Sequence, residues 1–167
     1  GCNVGSAPVE LRERLAFDAD KLARALAELT ARYGAEAAVL GTCNRVELYL
    51  ARPEVGAPVH SPLVAEYLSE LHGVPAADIY PHLYEHADDA AVRHLFRVVS
   101  GLDSVVVGED QIAGQVKDAF DVAQRAGATG PLLNVLFPAA ARTSKRVRSE
   151  TGLAQGQSSV ASAAVGF

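Results

Sequence analysis

Sulfur is scarce in this chain: two cysteines, Cys2 and Cys43, in 167 residues, and no methionine. A fold of this length needs no disulfide framework and two thiols cannot supply one, so a reducing, cytoplasmic setting is expected. No run approaches the roughly 18 apolar residues of a membrane span. The N-terminus lacks a charged region followed by an apolar signal core, so no membrane association is expected. Internal repeats are absent, and so is any Gly-rich dinucleotide fingerprint. Positive charge is not in excess either. Fifteen Lys and Arg against twenty Asp and Glu leave a formal net charge of -5, which argues against a surface that binds nucleic acid everywhere. The cations do cluster once, at Arg142, Lys145, Arg146 and Arg148. The chain opens on Gly1 and stops in mid-pattern at Phe167, so a segment of something longer is expected.

What is present suits a globular domain, since 49% of the residues are hydrophobic. After a short extended start and the charged stretch 10–14, Asp18 reads as the N-cap of a helix with Leu22, Leu26, Leu29 and Tyr33 at helical spacing, ended by Gly34. Strands are predicted at 37–41 and 46–51. In the second, Val46, Leu48 and Leu50 alternate with Glu47 and Tyr49 as in a half-buried strand. Ser61-Pro62 predicts an N-cap and first helical position of a helix to about His72, and 79–86 reads as extended. Asp88 or Asp89 is expected to cap the helix carrying Val92, Leu95, Phe96 and Val99. Two helical stripes follow, Ile112, Val116, Phe120 and Ala123, then Leu132, Leu133, Leu136, Phe137 and Ala140. Pro138 inside the second predicts a kink or break, because proline lacks the amide donor and crowds the preceding turn. Residues 152–157 read as a linker, and 158–164 as the start of a small-residue helix. The order is strand and helix first, then helix alone: an α+β class.

The chemistry concentrates at Thr42-Cys43-Asn44-Arg45, a polar knot between two strand-like runs. A side chain there is held by rigid flanks and still meets a substrate. A reactive thiol needs a nearby cation, histidine or helix N-terminus. Arg45, two residues on, shares a side with Cys43 if both lie on the strand, and either favours the thiolate or grips a carboxylate in two-pronged fashion. A buried structural cysteine beside a surface arginine is the competing reading. Gln111 and Gln115, one turn apart with Glu109 and Asp110 just ahead, form a polar edge suited to a ligand with amino and carboxyl groups, or simply a capped and solvated face. The H-x-x-E-H run at His82 and His86 is rejected as a zinc motif, since its surroundings favour an extended segment over a helix. No metal is expected. His94 lies on a helix just ahead of Asp103 and Ser104.

Five motifs, in order and spanning nearly the whole chain, resemble glutamyl-tRNA reductase. They are Ala7-Pro8-Val9-Glu10-Leu11-Arg12-Glu13-Arg14, Thr42-Cys43-Asn44-Arg45-Val46-Glu47-Leu48-Tyr49, the run from His94 through Gly101-Leu102-Asp103-Ser104, the run from Gly108-Glu109 to Lys117, and Lys145-Arg146-Val147-Arg148-Ser149-Glu150-Thr151. The resemblance implies a ferredoxin-like βαβ core followed by a helical subdomain. It makes 1–151 the catalytic, glutamyl-binding domain and 152–167 a linker with the start of the next domain's helix.

By the same resemblance, Cys43 attacks the ester of glutamyl-tRNA to form a thioester. The full-length enzyme reduces it with NADPH to glutamate-1-semialdehyde, for tetrapyrrole (porphyrin, heme) biosynthesis. His94 is the second catalytic residue; Thr42, Asn44, Arg45, Ser104, Glu109, Asp110, Gln111 and Gln115 line the glutamyl pocket, with Arg45 on the side-chain carboxylate. NADPH is expected on a following domain and no cofactor on this segment. The implied partners are glutamyl-tRNA, a second subunit through a C-terminal domain, and glutamate-1-semialdehyde aminomutase. The chain departs from the family pattern at Val4, where a histidine is usual, at Asp110, where proline is common, and at Pro138. A non-catalytic tRNA- or protein-binding module of the same fold is the alternative, with the basic cluster holding phosphates.

Overall fold

A computed structural model describes residues 1–52, 59–105, 107 and 111–151. They divide into two compact units, Gly1–Glu85 with Ala119–Leu133, and His86–Asp118 with the chain from Asn134 onward. The expected linker and the helix start at 158–164 lie outside the described residues.

The first unit is built on an antiparallel sheet in the order β1-β3-β2, from β1 (Cys2–Asn3), β2 (Glu36–Gly41) and β3 (Arg45–Ala51). The central strand pairs Val46 with Cys2 on one side and Leu48 with Val39 on the other. Between β1 and β2 come α1 (Val9–Arg14) and α2 (Ala19–Tyr33). Asp18 caps α2 as expected, its carboxylate accepting the Lys21 N–H at 2.7 Å, and Gly34 ends it at φ 57°, a left-handed turn that glycine takes without strain. Ala25, Leu26 and Leu29 form the buried face of α2, which packs on β2. The mixed α+β class is the one expected. A ferredoxin-like sheet follows a β-α-β-β-α-β order, whereas three strands are present among the described residues.

After β3 come α3 (Ser61–His72), α4 (Ala76–Ile79) and a 3₁₀ turn at Tyr80–His82. The sequence pattern at 79–86 is therefore extended only in its last residues. There, Tyr84 exchanges main-chain hydrogen bonds with Gly1 at 2.7 and 2.8 Å. The helices α6 (Gln111–Arg125) and α7 (Pro131–Glu150) cross the division between the units.

Two helices that start in the first unit are capped by acids far away in sequence. Ser61 is the first residue of α3 rather than its cap, and the Glu85 carboxylate takes the Ser61 N–H at 2.8 Å, its hydroxyl at 2.5 Å and His60 Nδ1 at 2.9 Å. Those donors, the Ser61 hydroxyl foremost, pull the Glu85 pKa down to about 2. At the start of α7, Glu36 accepts the N–H groups of Leu132 and Leu133 at 2.9 and 2.7 Å. Gly130 makes room for it, since a Cβ there would sit 2.8 Å from the Glu36 carboxylate. Each acid satisfies amides that a helix start leaves open and lies at the positive end of the helix dipole.

In the second unit, α5 (Asp88–Val99) starts behind Ala87, with Asp88 and Asp89 in its first turn rather than capping. It ends in a Schellman turn: Leu102 N–H reaches Arg97 O and Gly101 N–H reaches Val98 O, both at 2.9 Å, with Gly101 at φ 72°. The buried Ser144 hydroxyl donates to Val99 O at 2.8 Å, joining α7 to this turn. The expected break at Pro138 is absent, for α7 runs continuously through it. Burial of Phe137 and Ala140 and the Ser144 contact offset the lost backbone bond.

Glu36→Ala strands two amides and is expected to lower stability by about 1–3 kcal/mol, read from urea midpoints. Glu36→Gln retains part of the cap through its amide oxygen and should fall between. His72, at the end of α3, lies edge-on to Phe17 with ring centroids 4.9 Å apart. Burial, then the charge of Lys21, lowers its pKa from 6.5 to about 4. The unfolded chain therefore binds this proton first, and stability should decline as pH falls from 6.5 to about 4. The Glu85 contribution is lost lower, between 4.5 and about 2. Urea midpoints of His72→Leu should be flatter across the upper window only.

Candidate active site

The connection from β2 to β3 is three residues long, Thr42, Cys43 and Asn44, and it is braced on each side. Within it, Thr42 N–H donates to Arg45 O at 2.8 Å, and the Thr42 hydroxyl accepts the N–H groups of Asn44 and Arg45, each at 3.1 Å. This is the turn-forming use of a Thr hydroxyl. From outside, Val4 N–H donates to Asn44 O at 3.0 Å. Arg12 Nε donates to Cys43 O at 3.3 Å while its NH1 holds Ala7 O at 2.7 Å. The position where a family histidine is usual thus contributes through its main chain.

Cys43 is exposed at this tip, and Cys2 is buried in β1 with burial raising its thiol pKa. Sequence order alone does not separate the two thiols; exposure does.

Arg45 is buried, and Cys43 is exposed. β3 begins at Arg45, so the two are not on one strand, and their surroundings differ: the thiol is exposed and the Arg45 side chain is 4% exposed. Its NH1 donates to Glu47 Oε1 at 2.8 Å, within a side chain that is also 4% exposed. Glu47 further accepts the hydroxyls of Tyr49 and Tyr84. The expected alternation is therefore lost in β3: Arg45, Val46 and Glu47 are all buried, and Leu48, Tyr49 and Leu50 are all half-buried. Arg45, Glu47 and Tyr49 share one face of the strand, and Tyr84 arrives from the segment paired with Gly1. Burial and the adjacent carboxylate push the Tyr49 pKa well above its usual value, so it remains a donor.

In the second unit, His94 is half-buried on α5, its ring 4.6 Å from that of His86. Both rings line an open groove of about 480 Å³ with Asp89, Arg93, Arg97 and Asp103. Ser104 follows the Schellman turn, and its buried Oγ has no hydrogen-bond partner among the described residues. An unpaired buried hydroxyl is uncommon and suits a polar ligand. Gln111 is exposed at the start of α6, and Gln115 is half-buried one turn on. Glu109 and Asp110 lie outside the described residues. Thr42, Cys43, Asn44 and Arg45 thus belong to one unit, and His94, Ser104, Gln111 and Gln115 to the other.

His82 closes the 3₁₀ turn with Nδ1 2.7 Å from Ser6 O, and no helix joins it to His86. Among the described residues no group of three His, Cys, Asp or Glu is placed to hold a metal. The positions that sequence reasoning missed are Arg12, Glu47, Tyr49 and Tyr84. Glu47 carries the one available signal, an acid inside a strand-like run.

Residues 1–151 match the family model for the glutamyl-tRNAGlu reductase N-terminal domain. The glutamyl-tRNA reductase of Marinobacter nauticus is 48% identical over 166 residues, and that of Magnetococcus marinus 48% over 167. Each alignment covers 99% of this chain, but the chain spans only 38% and 39% of those relatives. The solved structure of glutamyl-tRNA reductase from Methanopyrus kandleri superimposes with a TM-score of 0.74 at 35% identity, covering 98% of this chain and 37% of that one.

Truncating Glu47 leaves a buried guanidinium without this carboxylate. Glu47→Leu is expected to cost about 3–5 kcal/mol, against about 1 kcal/mol for Tyr49→Phe, both measured by urea unfolding.

Proposed function

The chain belongs to the glutamyl-tRNA reductase N-terminal domain family, and on that premise we propose that Cys43 is the acyl acceptor for glutamyl-tRNA. The observation that carries this reading is an exposed thiol on a three-residue turn whose main chain is held by Thr42, Val4 and Arg12. Attack of the thiolate on the ester carbonyl forms a C–S bond and breaks the C–O bond to the terminal ribose. The ribose hydroxyl leaves with a proton, and the glutamyl group remains as a thioester. An aminoacyl ester is already activated, so the step needs orientation more than force. The held turn supplies that orientation.

Arg45 is assigned to the substrate's side-chain carboxylate. Its bond to Glu47 and its burial keep the guanidinium in a fixed pose, and a fixed two-pronged donor distinguishes a carboxylate from an amide. Thr42 and Asn44 complete the turn. His94, Ser104, Glu109, Asp110, Gln111 and Gln115 enter on the family resemblance, supported for Ser104 by a buried hydroxyl that has no partner among the described residues.

Reduction of the thioester by NADPH to glutamate-1-semialdehyde, for tetrapyrrole synthesis in the cytoplasm, is assigned to the full-length protein. So are pairing into a homodimer and contact with glutamate-1-semialdehyde aminomutase. The residues described here do not fit a dinucleotide: the sequence has no Gly-rich fingerprint and the sheet is antiparallel, without the strand-to-helix turn that takes a pyrophosphate. No hydride step is therefore assigned to them. Among the described residues no helix is long and apolar enough to cross a membrane.

Incubation with glutamyl-tRNA labelled in the glutamyl group, quenched in acid, should leave label on the protein and none on Cys43→Ser. Absence of labelled protein and of accelerated deacylation, with tRNA still bound, would replace this reading by the non-catalytic binding module. The exposed Arg142 and Lys145 on α7 would then be the first residues to test.

A further inference from the structure

We propose that Arg12 is a positioning residue for Cys43, holding the main chain of the turn. This rests on the acyl-acceptor reading above. Turn tips are ordinarily the most mobile part of a hairpin, and a nucleophile displayed on one loses orientation unless its backbone is tied down. Here the tie comes from a helix far from the hairpin in sequence. Arg12 is half-buried on α1, and it spends two N–H groups on two carbonyls: NH1 on Ala7 O at 2.7 Å, just ahead of its own helix, and Nε on Cys43 O at 3.3 Å.

Holding the Cys43 carbonyl fixes the peptide plane that follows the cysteine, and with it the direction in which the Cα–Cβ bond aims the sulfur. The other contacts of the turn act on different atoms. Thr42 satisfies the amides of Asn44 and Arg45, and Val4 holds Asn44 O. Arg12 is thus the contact on the nucleophile's own residue. Its planar fork bonds two acceptors at once, which an ammonium on a flexible stem does not reproduce.

Substitution reads the tie. In Arg12→Gln the fork is lost. Hydrogen exchange of the amides at residues 42–45, read by mass on that peptide, should speed about three- to tenfold. In Arg12→Lys an ammonium on a flexible stem replaces the fork, and exchange should stay fast. Single-turnover acylation by glutamyl-tRNA should stay slow, while tRNA binding and the thermal midpoint stay close to the parent's. Exchange at residues 42–45 of Arg12→Gln at the parent rate overturns the proposal. If that variant does not fold, Arg12→Lys decides: parent-like acylation overturns the proposal, and slowed acylation with intact tRNA binding supports it. The acyl-acceptor reading is judged separately by Cys43→Ser. If the serine variant still takes up label, that reading fails, and the exchange rates at residues 42–45 still decide whether Arg12 holds the turn.

Discussion

The carboxylate of Glu47 is the contact on which the first unit turns. Buried in the middle strand, it takes hydrogen bonds from Arg45 and Tyr49 on its own strand and from Tyr84 on the segment beside Gly1. A buried acid and a buried guanidinium are each costly alone. Held together with two hydroxyls, they fix the start of β3, and β3 begins where the Cys43 turn ends. The network therefore anchors one leg of the turn. Arg12 and Val4 hold the turn from outside.

Acids also act at a distance in the caps. Helix starts were legible wherever the cap is local, as at Asp18, because the side chain and the amides it satisfies are three residues apart. They were misread at Ser61 and at Asp88 or Asp89. For α3 the satisfying group is Glu85, twenty-four residues from Ser61; Glu36 does the same for α7 across ninety-six and ninety-seven residues. No local pattern announces a partner that far away. At Pro138 the expected break fails for a related reason. Its cost is local, and the burial and side-chain contacts that offset it are tertiary.

For the site, the motif reading located the thiol on a turn between two strands, and the turn is there. What it misjudged was the strand after it. Alternation assigned Glu47 and Tyr49 to the solvent side because polar residues usually face water, yet the strand is buried on that face by Tyr84 and its neighbours. Arg45 follows Glu47 inward, so its guanidinium is buried on that carboxylate.

Periodicity, glycine stops and local caps are short-range physics. They were enough for the α+β class, the order of most elements, the turn that carries Cys43 and, through its motifs, the family. Tertiary structure decided which of two thiols is exposed, which charges are buried in pairs, and which distant side chains hold a helix start or a turn. Those outcomes depend on what each side chain meets after folding. A sequence displays Glu36, Glu47, Glu85 and Arg12 as four ordinary surface charges, and only their partners' positions turn each into a structural contact.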